Sequence, residues 1–307
     1  MAEARRTVDG FAAGAMFLLC IIWGLQQVAI KLAAPDISPI MQLALRSAIS
    51  ALLVTLLMAS RSIRIFVADG TLRPGLLAGC LFALEFVFIA EGLRLTSASH
   101  MVVFLYTAPV FTALGLQALI PAERLRPLQW LGIAVAFGGI VVAFLGGAIG
   151  AEVSADMLIG DALGILAGAA WGATTVVVRT TALSEAAPTR TLLYQLVAGF
   201  VLMLAYAAAS GQATQISMTP VAWMSLLFNG VIVSFVSYLA WFSLLQRYLA
   251  SRLVVFSFMT PLFGVCFGVI LLDDPMSVHF AVGALFVLLG IFLVSGAHLL
   301  QRKISHQ

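Results

Sequence analysis

The chain has 307 residues, 62% hydrophobic and only 9% charged, with mean hydropathy +1.10. A soluble globular domain carries about 25% charged residues, so this chain cannot clothe itself for water and its solvent is a bilayer. A net charge of +3 without a block of like charges argues against nucleic-acid binding, and three cysteines inside apolar runs (Cys20, Cys80, Cys266) argue against a disulfide framework.

A spanning helix needs about 20 mainly apolar residues, and breaking the chain at its Pro, Gly and charge clusters gives ten such runs. The first, 11–31, follows "MAEARRTVDG" and superficially resembles a signal peptide. It carries Gln26 and Gln27 and is followed by similar runs, so it reads as a retained span. Span two, 39–59, carries Arg46, and span three, 74–93, carries Glu85; these are the only charges well inside predicted spans. At helical rise Arg46 lies roughly 10 Å and Glu85 roughly 12 Å from the same face. Equal depth on consecutive helices predicts a structural ion pair, with a substrate or proton role for Glu85 as the alternative. Glu91 and Arg94 form an interfacial i,i+3 pair.

Span four, 97–120, holds "MVVFLYTAPVF" with Pro109 in its middle. Span five, 127–147, places Gly132, Gly139 and Gly146 every seven residues. Span six, 160–178, places Gly164, Gly168 and Gly172 every four, a small-xxx-small ridge, with Asp161 as its expected cap. Span seven covers 190–209. In span eight, 221–245, Ser234, Tyr238 and Trp241 fall at i, i+4 and i+7 on one stripe. Span nine, 250–272, holds Pro261 in "LVVFSFMTPLF", and span ten, 278–299, has Gly283 and Gly290.

With a cytoplasmic N-terminus, the inner segments hold Arg5, Arg6, Arg61, Arg64, Arg73, Arg124, Arg126, Arg179, Arg190, Arg247, Arg252, Arg302 and Lys303. That is 13 of the 16 Lys and Arg; the outside keeps Lys31 and Arg94, and Arg46 is embedded. Asp36, Glu152, Asp156, Asp273 and Asp274 gather outside. The bias predicts a multi-pass inner-membrane protein with both termini cytoplasmic.

Two stretches recur. "IIWGLQQVAIK" (Ile21–Lys31) is echoed by "AAWGATTVVVR" (Ala169–Arg179), and "MVVFLYTAPVF" (Met101–Phe111) by "LVVFSFMTPLF" (Leu253–Phe263). The echoes bound units of five spans, 1–148 and 159–307. Because five is odd, the second unit enters from the opposite face, giving an all-α membrane protein of two inverted five-helix repeats, a symmetry used for alternating access. Proline removes a backbone donor and crowds the carbonyl four residues back, so it bends the helix. In lipid the freed groups need protein or water. Pro109 and Pro261 are therefore either symmetry-related hinges or static packing kinks.

These residues resemble the drug/metabolite transporter superfamily in its ten-helix EamA branch. The likeness rests on "WG" in spans one and six, "RLTSASHMVVFLYTAPVFTAL" from Arg94, and "ERL" at Glu123. It also rests on "GDALGILAGAAWG" from Gly160, "YLAW" at Tyr238–Trp241, and "TPLFGVCFGVILLDD" from Thr260. The family's Gly-Glu pair after spans four and nine is kept only loosely, as Pro121-Ala122-Glu123 and Asp273-Asp274. Within the branch the chain looks most like the YddG-type amino-acid exporters. The resemblance implies export of small metabolites, often amino acids, through a cavity lined by spans one, three, four, six, eight and nine.

Trp23, Gln26, Glu85, His100, Tyr106, Trp171, Asn229, Ser234, Tyr238, Trp241 and Phe258 are the substrate-contact candidates: aromatic walls with a few neutral polar groups suit a pocket and a neutral zwitterion. Trp and Tyr also mark membrane interfaces, and single hydroxyls bond their own helix, so the bland reading stays open for each. No cofactor or metal is expected, the four histidines being scattered. The expected partners are a small-molecule substrate and the bilayer, with the chain a monomer or homodimer. Efflux of lipophilic cations is the alternative transport reading. An intramembrane enzyme is remote, since HExxH, GxSxG and GxGD are all lacking, and a channel is the other remote alternative.

Overall fold

The computed structural model describes residues 9–65, 67, 69–119, 127–149, 154–247 and 259–304. Phe258 and the Glu123 motif lie outside the described residues. In lipid every backbone N–H and C=O must be satisfied within its own segment, so apolar runs fold as helices. Spans one to three are α1 (Gly10–Leu32), α2 (Pro39–Ser60) and α3 (Leu72–Leu95). Span four comes in two pieces, α4 (Ala98–Leu105) and α5 (Ala108–Leu119). Spans five to seven are α6 (Pro127–Ile149), α7 (Ala155–Thr180) and α8 (Pro188–Ala209). Span eight joins α9 (Pro220–Leu227), a π-helical stretch (Phe228–Ser237) and α10 (Tyr238–Arg247). Spans nine and ten are α11 (Met259–Leu272) and α12 (Val278–Ile304). Among the described residues seven spans are long and apolar enough to cross a membrane, and three shorter apolar helices complete the ten.

The helix starts follow local chemistry. Asp9, Ser97, Ser154 and Thr219 each accept a backbone N–H of the first turn, and Pro39, Pro188 and Pro220 open their helices where no donor is missed. The cap of span six is thus Ser154, whose Oγ lies 3.1 Å from the Met157 nitrogen, and not Asp161. Asp161 sits two turns further in, facing a neighbouring helix.

Packing has a symmetry of its own. Equivalent spans pair as α2 with α8, α6 with α12, and α4 with α11. The contact of α1 with α11 is matched by that of α7 with α4 and α5. Likewise α3 on α8 is matched by the π stretch on α2, and α3 on α7 by the π stretch on α1. Exchanging the halves returns each of these major contacts, as expected of two inverted five-helix repeats wrapped through one another. The glycine seams of spans five and ten are the two sides of one contact: a Cβ on Gly139 would come within 2.6 Å of the Gly283 carbonyl and the Val287 nitrogen.

Segments that the charge map assigns to one face meet there. Ser217 N–H donates to the Asp36 carbonyl (2.7 Å), the Thr219 hydroxyl to the Asp36 carboxylate (2.5 Å), and Gln212 to Glu91 (2.7 Å). Lys31 Nζ donates to the Leu93 carbonyl (2.5 Å) and the Thr96 carbonyl, satisfying the C-terminal end of α3. Asp273 adopts a left-handed conformation (φ 52°), which brings the Asp274 carboxylate to the Ser99 N–H at the start of α4 (2.8 Å). At the opposite end Arg190 pairs with Asp69, and the Thr71 hydroxyl donates to the same carboxylate (2.6 Å). The Thr71 hydroxyl and N–H, with the Arg190 guanidinium, hold the Asp69 carboxyl below its ordinary pKa.

Candidate functional site

The two echoes in the sequence touch each other across the halves. A Cβ on Gly24 would meet Phe263 Cβ at 2.8 Å, the Gly264 nitrogen at 2.9 Å and the Thr260 carbonyl at 3.1 Å. A Cβ on Gly172 would meet Phe111 Cβ at 2.8 Å, with the Ala108 carbonyl and the Thr112 nitrogen at 3.0 Å. Each Trp-Gly glycine is therefore the point where one half's helix crosses the proline region of the other half. Span four is a true break at this crossing. The Thr107 N–H and hydroxyl both turn back to the Phe104 carbonyl (3.1 and 2.6 Å), and Pro109 lies in the first turn of α5. The ridge glycines lie along the break, Gly164 against Phe104 and Gly168 against the Leu105 carbonyl and Thr107.

Around these crossings lies a buried polar cluster drawn from both halves. Arg46 is fully buried and has no acidic partner in contact; the one polar group that approaches its guanidinium is the Tyr238 hydroxyl, at the margin of hydrogen-bond geometry. Its Cζ stands 4.1 Å from the centroid of the Phe86 ring, a cation–π contact. Glu85 and Tyr238 are near enough for their charges to act on it, yet Arg46 and Glu85 form no direct ion pair. The expected salt bridge between them is thus replaced by a guanidinium and a carboxyl group held apart. Depth along two helices fixes how far in a residue sits; which way it faces depends on helix rotation, and here the guanidinium lies over Phe86. Tyr106, at the break of span four, is within electrostatic range of Glu85, Tyr238 and Cys20. Thr260 is fully buried beside Pro261, its hydroxyl next to Tyr106 and Cys20.

Aromatic pairs flank the cluster. Trp23 and Trp241 meet edge to face at 5.8 Å, and Tyr106 and Trp171 at 5.3 Å. Trp23 Nε1 donates to Ser237 Oγ (2.8 Å), tying span one to the π stretch. The π turn widens span eight, so Ser234 follows a different rotation from the α-helical stripe expected of Ser234, Tyr238 and Trp241. Ser234 is fully buried with its hydroxyl unpartnered. Asn229 Nδ2 donates to the Ser225 carbonyl (3.0 Å), leaving its Oδ1 unpartnered. Gln26 is buried on the same helix as Trp23, and Gln27 Oε1 is also unpartnered.

His100 belongs to a second cluster nearer the end of α4. Its Nδ1 lies 2.8 Å from Asp161 Oδ2, Asp161 Oδ1 accepts the Thr96 hydroxyl (2.5 Å), and the imidazole stacks on Phe280 at 3.8 Å. The structure therefore separates His100 from the central candidates and gives it a buried acidic partner from the other half. Asp161 was expected as a helix cap, Cys20 only as one of three cysteines in apolar runs and Thr260 only as part of a motif; the one signal for a buried role was a polar residue interrupting an apolar run. The cleft of about 450 Å³ beside Asp69, Thr71, Glu185 and Arg190 lies at the far end of the molecule from that His100 cluster.

An all-helical bundle of ten apolar spans with a polar centre shared by two repeats defines a multi-pass membrane carrier for small molecules. The chain belongs to the EamA-like transporter family, whose model matches residues 10–145 and 158–296, one match for each repeat. It is 23% identical over 274 residues to the uncharacterized transporter YoaV of Bacillus subtilis, covering 89% of this chain and 92% of that one. It is 24% identical over 288 residues to a probable amino-acid metabolite efflux pump of Escherichia coli, covering 90% of this chain and 92% of that protein. A crystal structure with 18% sequence identity superposes with a TM-score of 0.65 over 94% of this chain and 99% of the other, a likeness of fold. The protein is a transporter and not an enzyme.

Proposed function

We propose that the chain exports small neutral metabolites, amino acids among them, across the cytoplasmic membrane by alternating access, with both termini cytoplasmic. The observation that carries this reading is the unspent polarity of the centre. Gln27 of the first half and Asn229 and Ser234 of the second each keep a buried polar atom without a partner, and the buried Arg46 has no acid in contact. Native interiors satisfy such atoms, so a centre that leaves several open is suited to a ligand that arrives and departs. The flanking tryptophans and tyrosines suit an apolar side chain. The name of the Escherichia coli relative supports the substrate class.

The repeats 1–148 and 159–307 act as the two rocking units, with Pro109 and Pro261 at their symmetric bends. The path lies within one chain, so a monomer suffices. Efflux of lipophilic cations draws support from one observation, a buried Glu85 without a direct ion pair, but the Arg46 charge beside it opposes a lone cation. The test is counterflow in proteoliposomes of the purified protein. Saturable uptake of labelled amino acid, stimulated by the same unlabelled amino acid inside, is expected. Uptake of cationic dyes with no amino-acid counterflow would overturn the proposal.

A further inference from the structure

We propose that Arg46 and Glu85 are the two poles of the substrate site, the guanidinium receiving the carboxylate of an α-amino acid and Glu85 its ammonium group. This rests on the exporter reading above and narrows it to a zwitterion recognised at both charges.

Arg94 closes on Glu91 at 2.7 Å, and His100 on Asp161 at 2.8 Å. Arg46 is more deeply buried than Arg94, so it has more to gain from an acidic partner, yet no carboxylate touches it and only the Tyr238 hydroxyl approaches. An ionised group stranded in the interior is costly unless paired. A purely structural Arg–Glu pair on adjacent helices would close. Here the guanidinium and the carboxyl group remain in electrostatic range but out of contact.

Geometry points the same way. Phe86 covers one face of the guanidinium at 4.1 Å. Stacking of this kind leaves the in-plane fork of N–H donors unused, and that fork matches a carboxylate with two parallel bonds. Tyr238 approaches from the second half and Tyr106 from the break in span four, so both halves reach the same ligand. Tyr106 stands edge-on to Trp171, an aromatic wall beside the charged poles. A halide would satisfy Arg46 and leave Glu85 unpaired, and an amine would do the reverse. A zwitterion satisfies both, and its release restores the unpaired state, which keeps binding weak enough for turnover.

The experiment uses the full-length protein in proteoliposomes, with counterflow measured for the twenty labelled L-amino acids. The best substrate is then compared with its amide, which lacks the carboxylate, and its N-acetyl derivative, which lacks the ammonium. Charge-assisted contacts of this kind are worth about tenfold or more each. The zwitterion should therefore compete at least about tenfold better than either analogue. Arg46→Gln should erase the advantage over the amide alone, and Glu85→Gln the advantage over the N-acetyl form alone. Equal competition by all three ligands at the unaltered protein overturns the proposal, whether or not the variants fold. So does an Arg46→Gln protein with unchanged preference, while the exporter reading survives both results. Chloride that protects the protein against heating as well as the amino acid does would assign Arg46 to an anion and overturn the proposal. Absence of counterflow for all twenty amino acids would overturn both readings.

Discussion

Replacing Gly24 or Gly172 by alanine places a methyl group at a crossing between the halves. At Gly24 the new carbon would meet Phe263 Cβ at 2.8 Å and the Gly264 nitrogen at 2.9 Å; at Gly172 it would meet Phe111 Cβ at 2.8 Å. These neighbours are backbone atoms or the roots of side chains, so no rotamer change relieves the contact and two helices must separate. Overpacking of this kind costs about 1–3 kcal/mol. Gly14 in the same helix has nothing within 4 Å of its would-be Cβ, so Gly14→Ala gains helix propensity, up to about 1 kcal/mol, without a clash. The contrast between Gly24→Ala and Gly14→Ala therefore reads the overpacking cost with propensity cancelled. At about 2–4 °C per kcal/mol, the two should differ in apparent Tm by several degrees when unfolding is followed in detergent by fluorescence. Gly172→Ala should match Gly24→Ala because the contacts are counterparts. Equal melting of Gly24→Ala, Gly172→Ala and Gly14→Ala would refute the crossing argument.

Alanine at Pro109 or Pro261 removes the ring that fixes φ and crowds the preceding turn, and should leave insertion intact while biasing the two gates in opposite directions. Maleimide labelling of Ser99→Cys should then speed up in one background and slow in the other, and unchanged labelling in both reduces the prolines to packing kinks. His100 and Asp161 should be coupled: His100→Ala and Asp161→Ala together should cost less than the sum of the singles, by about 0.5–3 kcal/mol in a double-mutant cycle, and additivity would deny the pair. The Asp69 pKa is depressed in the folded protein, so its contribution to stability is present above the ordinary carboxylate pKa and lost as pH falls through the depressed value. Asp69→Asn should therefore melt below the unaltered protein at neutral pH and converge with it in acid; a gap that ignores pH argues against the contact.

Much of the fold was legible because a bilayer imposes simple rules. Run length gave the ten spans, and the two echoes gave the repeat. What the sequence concealed depends on rotation about helix axes. Arg46 and Glu85 share a depth, but depth does not say which way a guanidinium faces, so the expected salt bridge became a separated pair. Nothing in "FNGVIVSFVS" distinguishes a π turn from an α turn, so the span-eight stripe was drawn with the wrong pitch. Asp161 looked like a cap because it follows a glycine near a helix start; its partner, His100, is 61 residues away on the other repeat. The echoes predicted symmetry but not that Gly24 and Gly172 would each press on the other half's proline region.

The proposed rocking of the two halves about these crossings is most directly tested by tying one end shut. Ser99 at the start of α4 and Asp274 after α11 come from different halves and are in contact. With Cys20, Cys80 and Cys266 replaced by alanine, cysteines at positions 99 and 274 can be joined by a short, reducible bifunctional thiol reagent. Substrate counterflow should stop when the link forms and return when it is reduced, with the singly substituted proteins unaffected by the reagent. Full transport by a quantitatively linked protein would contradict alternating access between these halves.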